Sequence, residues 1–242
     1  METQKGCLGV IGGLGPMATA YFMELVCQMT DAKTDQEHLE MIIRSSPHIP
    51  DRTRYILDKM APNPIPELIS VGQWLAGQGA SQIAIPCFTA HCFYDELVRG
   101  IDVPIINGPA EVAAYLKASG VTCAGIMATD GTVSQRLFHT ALEQQGITPA
   151  APSESRQADV MSLIYDCIKQ GIPAEMGLFS SVAKELHRQG AEVIILGCTE
   201  LSMIKRDQAP GHGFLDAMEV LARSAVVRCG GKLNPKYREL IS

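Results

Sequence analysis

Two cysteines stand where their side chains can do chemistry. Cys87 and Cys198 each follow a short apolar run and precede a turn that contains threonine, in the segments CFTAH (87–91) and CTE (198–200). In an open parallel sheet, ligands bind beyond the carboxyl ends of the strands, which is where both thiols would lie. The turn that follows brings each sulfur close to a helix N-terminus, which favours the thiolate. Either cysteine alone is as easily explained as a small buried side chain, but two in matching positions predict reactive thiols at a substrate site.

The remaining cysteines lack such a setting, and we interpret them as core or surface side chains: Cys7, Cys27, Cys92, Cys123, Cys167 and Cys229. No C-x-x-C pair is present and no His–Cys cluster has ligand spacing, so we expect no metal site. Eight cysteines in 242 residues are too sparse for a small secreted disulfide scaffold. We therefore expect free thiols and a cytoplasmic location.

A glycine-rich loop, GGLGP at residues 12–16, follows the first apolar run. Residues 13–18 formally satisfy G-x-G-x-x-A, but the chain offers no ribose-binding carboxylate after the second strand and no phosphate-binding lysine in the loop. An alternative is that Gly15 lets the backbone approach a small ligand while Pro16 begins a helix whose N-terminus binds a carboxylate. A tight turn without a ligand remains equally open.

Cations and other polar side chains lie near these segments. Arg52, in IPDRT (49–53), has a planar guanidinium that suits a carboxylate, although a lone loop arginine is commonly a solvated charge. Lys169 ends a predicted helix, where a positive charge is favoured without any ligand. His91 either modulates the neighbouring thiol or is a structural histidine. Glu200 either caps a helix or positions an amine.

Short apolar runs alternate with amphipathic stretches along the whole chain, which predicts an α/β fold with parallel sheets. Predicted strands cover 7–12, 41–45, 82–86, 103–106, 122–128 and 193–196. Predicted helices cover 17–30, 64–78, 110–118, 134–145, 158–170, 173–189 and 216–229.

A weak internal repeat organises these elements. The run LGVI (8–11) resembles AGIM (124–127), and IAIPC (83–87) resembles IILGC (194–198) at a similar separation. We therefore predict two pseudo-symmetric α/β domains with the active site in the cleft between them. The N-terminal domain covers 1–118, with the C-terminal helix 215–230 packing back on it, and the second domain covers 119–214.

Composition excludes several classes of protein. A net charge of −6 with scattered lysines and arginines leaves no basic patch, so we expect no nucleic-acid partner. No segment approaches the ~18 unbroken apolar residues of a membrane span, so we expect no membrane partner. The apolar run at the start is interrupted too early for a signal peptide.

Four segments together carry a resemblance to a known family: GGLGPMAT (12–19), IPDRT (49–53), PCFTAH (86–91) and GCTEL (197–201). Their combination resembles the aspartate/glutamate racemase family, which includes aspartate, glutamate and hydantoin racemases, over nearly the full chain. IPDRT is similar to the aspartate racemase branch. The resemblance implies racemisation of aspartate or glutamate without pyridoxal phosphate or another cofactor, by a homodimer that takes a small carboxylic or amino-acid substrate.

The resemblance also implies roles for individual residues. It makes Cys87 and Cys198 the catalytic pair, in which one removes the α-proton as a thiolate and the other returns a proton to the opposite face as a thiol. It also implies that Thr89 and Thr199 hold the α-carboxylate or amine of the substrate. The cations Arg52 and Lys169 are implied to lie near a side-chain carboxylate of the substrate. The full implied set of substrate-binding residues is Met17, Arg52, Phe88, Thr89, Lys169 and Thr199.

One residue departs from the family pattern. Phe88 stands where the family usually has asparagine, and a phenyl ring can neither donate nor accept the hydrogen bonds of an amide. Losing one such contact costs about 1–3 kcal/mol, which slows an enzyme without abolishing it. The alternatives are therefore a related isomerase or decarboxylase acting on another small carboxylic acid, or a carboxylate-binding protein with impaired catalysis.

Overall fold

The computed structural model describes residues 5–242, which divide into two compact units. Unit 1 contains residues 5–108 together with Glu219–Leu240, and unit 2 contains Pro109–Met218 together with Ile241–Ser242. The chain thus passes from unit 1 to unit 2, returns to unit 1 for most of its last α-helix, and ends with two residues in unit 2.

Unit 1 is built on a three-stranded parallel sheet. Its strands are β1 (Leu8–Gly12), β2 (Met41–Ser45) and β3 (Gln82–Ala84), in the order β2-β1-β3. Its helices within residues 5–108 are α1 (Pro16–Met29), α2 (Arg52–Leu57), α3 (Ile65–Gly77) and α4 (Tyr94–Gly100). All five residues of β1 are buried, as expected for a central strand covered on both faces.

Unit 2 repeats this plan with one more strand. Helix α5 (Gly108–Ala118) leads into a parallel sheet of β4 (Cys123–Met127), β5 (Thr148–Ala150), β6 (Val193–Leu196) and β7 (Phe214–Asp216), in the order β5-β4-β6-β7. The connecting helices are α6 (Asp130–Ser134), α7 (Leu137–Gln144), α8 (Glu154–Ser162), α9 (Met176–Arg188) and α10 (Thr199–Gln208). The order β2-β1-β3 of unit 1 therefore corresponds to β5-β4-β6 of unit 2.

The last helix, α11 (Ala217–Arg228), begins in unit 2 and continues into unit 1. Hydrogen bonds join the chain after α11 to the first segments of unit 1. The N–H of Gly6 donates to the carbonyl of Cys229 at 2.9 Å, and the N–H of Asn234 donates to the carbonyl of Met29 at 2.8 Å. Unit 1 is thus completed by a segment that lies far from its other elements in sequence.

The α/β class with two parallel sheets confirms the prediction from the sequence. Residues 103–106 are an exception, because they form only an isolated bridge between Ile83 and Ile105. The proline at position 104 has no N–H for a ladder, which explains why pairing stops there. Among residues 5–242, no helix combines the length and the apolar character needed to cross a membrane.

Two predicted helices are interrupted. Residues 134–145 are divided between α6 and α7, because Arg136 adopts a left-handed conformation with φ of 53°. The predicted helix 158–170 begins earlier, at α8, and then changes to a π-turn at Leu163–Cys167 and a 3₁₀ turn at Ile168–Gln170. The second interruption determines where Lys169 lies.

Candidate active site

In unit 1, the glycine-rich loop connects β1 to α1. Gly13 has φ of +89°, and a Cβ added there would lie 2.7 Å from the carbonyl carbon of Ser46 and 2.8 Å from the nitrogen of Pro47. The Gly13 N–H donates to Thr19 Oγ1 at 2.9 Å, and that hydroxyl donates to the carbonyl of Gly15 at 2.9 Å. The loop is therefore held in place by the side chain of Thr19, in α1, and by the backbone that follows β2.

Beyond this fixed turn, the start of α1 is open. A Cβ added at Gly15 would meet nothing within 4 Å, and Met17 in the first helical turn is 68% exposed. Pro16 occupies the first helical position, where its missing N–H costs nothing. An accessible backbone at a helix N-terminus fits the predicted approach of a small ligand, and the substrate contact of Met17 stays a prediction.

Arg52 begins α2, and its side chain is buried. The guanidinium donates to the carbonyls of Pro50 at 3.0 Å and Ile49 at 3.3 Å, and to the carbonyl of Leu14 at 3.1 Å. Arg52 thus joins the glycine-rich loop to the segment after β2. This structural role was not expected from the sequence, and a contact with a substrate carboxylate remains a prediction.

Cys87 follows β3 and is 5% exposed. It precedes a 3₁₀ helix, Phe88–Phe93, rather than the α-helix start that the sequence suggests. Its N–H donates to the carbonyl of Ile85 at 2.7 Å, and its own carbonyl accepts from the N–H of Ala90 at 3.0 Å. Thr89 lies in the same turn and is buried, so the structure brings Cys87, Phe88 and Thr89 into one tight loop.

Phe88 is buried. Its ring stacks on His91 with centroids 5.6 Å apart, and a Cβ added at Gly108 would lie 2.8 Å from Phe88 Cε1. His91 is also buried, and burial lowers its pKa to about 4. The ring is therefore neutral near pH 7, and its Nε2 donates to the carbonyl of Ile85 at 3.2 Å.

In unit 2, Cys198 follows β6 and caps α10, and it is 7% exposed. The close turn before it needs a glycine, because a Cβ on Gly197 would lie 2.6 Å from Phe138 Cε2. The Cys198 thiol donates to Glu200 Oε2 at 2.9 Å, and the hydroxyl of the buried Thr199 donates to the same oxygen at 3.2 Å.

Lys169 completes this cluster. Its ammonium lies 3.3 Å from Glu200 Oε1 and 4.8 Å from the centre of the Tyr165 ring. The π-turn and 3₁₀ turn after α8 bring these residues to α10. Burial, and next the charge of Glu200 and its hydrogen bond, hold the pKa of the Cys198 thiol well above its ordinary value, while Lys169 acts in the opposite direction. Cys198 is therefore a thiol at neutral pH.

The structure thus joins Lys169, Cys198 and Thr199 of the predicted set through Glu200. The sequence suggests that Glu200 caps a helix or positions an amine, whereas its carboxylate contacts all three residues. No sequence signal links Lys169 to Glu200, because the contact depends on the irregular turns after α8. The residues described form no group of three or more side chains able to hold a metal ion.

The other cysteines differ from the candidate pair. All eight cysteines are free, and burial raises the pKa of five of those outside the pair: Cys7, Cys27, Cys92, Cys123 and Cys229. The rise reaches about 12 for Cys92 and about 11 for Cys229. A raised pKa therefore does not separate these cysteines from Cys198, whose pKa is also raised. Position separates them, because none of the other six cysteines follows a strand as Cys87 and Cys198 do.

Comparison with known proteins gives relatives that cover 90–96% of the chain. A broad-specificity amino-acid racemase, RacX of Bacillus subtilis, is 25% identical over 229 residues, which cover 90% of this chain and 96% of the relative. The structure of the Picrophilus torridus aspartate racemase matches with a TM-score of 0.82 and 28% identity, covering 96% of this chain and 98% of that one. An aspartate racemase homologue from Pyrococcus horikoshii shares the fold, with a TM-score of 0.75, 22% identity and coverage of 94% and 100%.

The family model of Asp/Glu/Hydantoin racemases matches residues 11–225. This range contains both cysteines, the glycine-rich loop after β1 and the Lys169–Glu200 pair. The chain belongs to the Asp/Glu/hydantoin racemase family.

Proposed function

We propose that the protein racemises an acidic amino acid without a cofactor, with Cys87 and Cys198 as the acid/base pair. The observation that carries the proposal is that each cysteine follows the strand that pairs with the first strand of its own unit. β3 lies beside β1 in unit 1, and β6 lies beside β4 in unit 2. Family membership and full-length similarity to an aspartate racemase support the same activity.

The reaction requires one ionised and one protonated sulfur. The thiolate takes the proton from Cα, so that a C–H bond breaks and an S–H bond forms, and the electron pair stays on the α-carbon. The opposite thiol then gives its proton to the other face of that carbon, which leaves a thiolate. Because charge develops at the carboxylate during this step, hydrogen-bond donors held in place contribute much of the stabilisation.

The substrate class follows from the polar groups near each cysteine. Thr89 lies two residues after Cys87, and Thr199 directly follows Cys198. We assign these two threonines to the α-carboxylate and amine of the substrate. Lys169 and Arg52 favour a substrate with a second carboxylate. Lys169 pairs with Glu200 in the free protein, so a substrate carboxylate that binds Lys169 must compete with Glu200.

The remaining assignments belong to the same proposal. Met17, exposed at the start of α1, and Phe88 are the apolar members of the substrate-binding set. The homodimer comes from family resemblance, and the cytoplasmic location comes from the free thiols that the mechanism needs. Oxidation of either catalytic sulfur would remove the acid or the base.

The test is exchange of the α-hydrogen. We expect deuterium to enter both enantiomers of aspartate or glutamate in heavy water in the presence of the protein. Cys87→Ala and Cys198→Ala should abolish racemisation, whereas Cys27→Ala, a cysteine of α1 outside the pair, should retain it. A protein that is folded yet exchanges the α-hydrogen of no acidic amino acid would refute the proposal.

A second candidate is an isomerase or decarboxylase acting on another small carboxylic acid, or a carboxylate-binding protein. The buried ring of Phe88, next to Cys87, favours it, because no amide is available at this position. Activity on a panel of carboxylic acids that survives Cys198→Ala but not Cys87→Ala would select the single-thiol chemistry. Tight dicarboxylate binding without exchange would select the binding protein.

A further inference from the structure

We propose that Glu200 is a positioning residue that keeps Cys198 protonated in the free enzyme and thereby makes it the resting proton donor of the pair. The inference rests on the proposed function for its catalytic meaning. It concerns a residue of α10 that acts through the sulfur of Cys198. Its basis is the set of contacts that the carboxylate makes in unit 2.

Both oxygens of Glu200 are engaged, and the residue is 6% exposed. Oε2 accepts from Cys198 Sγ at 2.9 Å and from Thr199 Oγ1 at 3.2 Å, while Oε1 lies 3.3 Å from Lys169 Nζ. An ionised carboxylate can only accept hydrogen bonds, so the proton between Oε2 and the sulfur belongs to the sulfur. The Lys169 ammonium lies against Oε1, and Glu200 lies in the first turn of α10, where a negative charge interacts favourably with the helix dipole.

The arrangement opposes ionisation of Cys198. A thiolate in the same place would stand beside a negative carboxylate oxygen in a buried environment, where like charges repel strongly. Lys169 reduces this repulsion, but it contacts the far oxygen of Glu200. Within residues 5–242, the charged groups that influence the Cys198 thiol are Glu200 and Lys169, and they act with opposite signs.

This opposition gives the proposal two signed consequences. Glu200→Gln preserves the size of the side chain and an acceptor oxygen but removes the charge, so Cys198 should ionise at lower pH. Lys169→Met preserves much of the apolar stem but removes the positive charge, so Cys198 should ionise at higher pH. A purely structural role for Glu200 predicts no such pair of opposite shifts.

The measurement is the alkylation rate of Cys198 as a function of pH. Iodoacetamide is added to the folded full chain, and the peptide that contains Cys198 is quantified by mass spectrometry. We expect the midpoint of the rate profile to fall by about 1–3 pH units in Glu200→Gln and to rise in Lys169→Met. Glu175→Gln is the matched control, because Glu175 is an exposed residue before α9. The midpoint of Cys198 alkylation in this variant should equal that of the unchanged protein.

An unchanged or higher midpoint in Glu200→Gln would overturn the proposal, as would a lower midpoint in Lys169→Met. If Glu200→Gln does not fold, Glu200→Ala takes its place, and an unchanged or higher midpoint in that variant would overturn the proposal equally. This readout needs no turnover, so it separates the role of Glu200 from the racemase proposal. If the protein racemises aspartate or glutamate, the alkaline limb of kcat/KM should move to lower pH in Glu200→Gln, and a limb that stays in place would also count against the proposal.

Discussion

Replacing Gly13 with alanine should destabilise unit 1 far more than replacing its near neighbour Gly15. At Gly13, the φ of +89° disfavours any L-residue, and the added Cβ would lie within 3 Å of backbone atoms of Ser46 and Pro47. Backbone strain contributes about 1–2 kcal/mol. Overpacking against a backbone that cannot rotate away adds about 1–3 kcal/mol. We therefore expect Gly13→Ala to lower the free energy of unfolding by about 2–5 kcal/mol.

Gly15→Ala is the matched control, because Gly15 has φ of −100° and an added Cβ would meet nothing within 4 Å. Its stability should stay within about 1 kcal/mol of the unchanged protein, since lower entropy of the unfolded chain offsets the poorer helix cap. Because Gly15 is where a ligand would approach the backbone, Gly15→Ala should instead raise KM for an acidic amino acid.

The assay is urea denaturation followed by the circular dichroism of both variants, together with substrate kinetics. A Gly13→Ala protein as stable as Gly15→Ala would show that the loop relaxes freely, and the argument from its close packing would be wrong. Equal KM values for Gly15→Ala and the unchanged protein would remove the predicted ligand from the start of α1.

Two further predictions concern buried groups of unit 1. Arg52→Lys should lower the unfolding free energy by about 1.5–3 kcal/mol in urea denaturation, because a single ammonium cannot reach the carbonyls of both Leu14 and Pro50; an unchanged midpoint would argue against the bridging role. The pKa of His91 is about 4 in the folded protein and 6.5 in its ordinary state. Between pH 6.5 and pH 4 the unfolded chain therefore binds more protons than the folded one, and the free energy of unfolding falls as the pH drops. We expect this to cost about 2 kcal/mol between pH 7 and pH 5, and His91→Gln should show a correspondingly shallower loss; parallel pH profiles would contradict it.

The strands that the sequence predicts well are those of four or five residues. β2 and β6 have their predicted bounds, and β1 and β4 differ by a residue or so at their ends. The edge strands β5 and β7 are three residues each, and β5 contains a proline, so neither has an apolar run long enough to detect. Their pairing depends on neighbours that are distant in sequence.

The residues of the candidate site also differ in how far the sequence predicts their positions. The positions of Cys87 and Cys198 after β3 and β6 follow from local sequence, because the apolar runs end beside them. The contacts of Arg52 and Lys169 do not, since one depends on a loop that is distant in sequence and the other on a π-turn. The family resemblance implies a substrate carboxylate near Lys169, and in the free protein Lys169 pairs with the chain's own Glu200.

The return of the chain to unit 1 has a consequence for biosynthesis. The strands β1, β2 and β3 leave the ribosome first, yet α11, the Cys229 carbonyl that accepts from Gly6 and the Asn234 N–H that donates to Met29 arrive only after residues 109–218 of unit 2 have been made. At about 5–20 residues per second, this delay lasts roughly 5–20 s. Until then unit 1 lacks the fully buried side chains that α11 contributes, such as Leu221 and Val226. Unit 1 therefore cannot be completed until almost the whole chain has been synthesised.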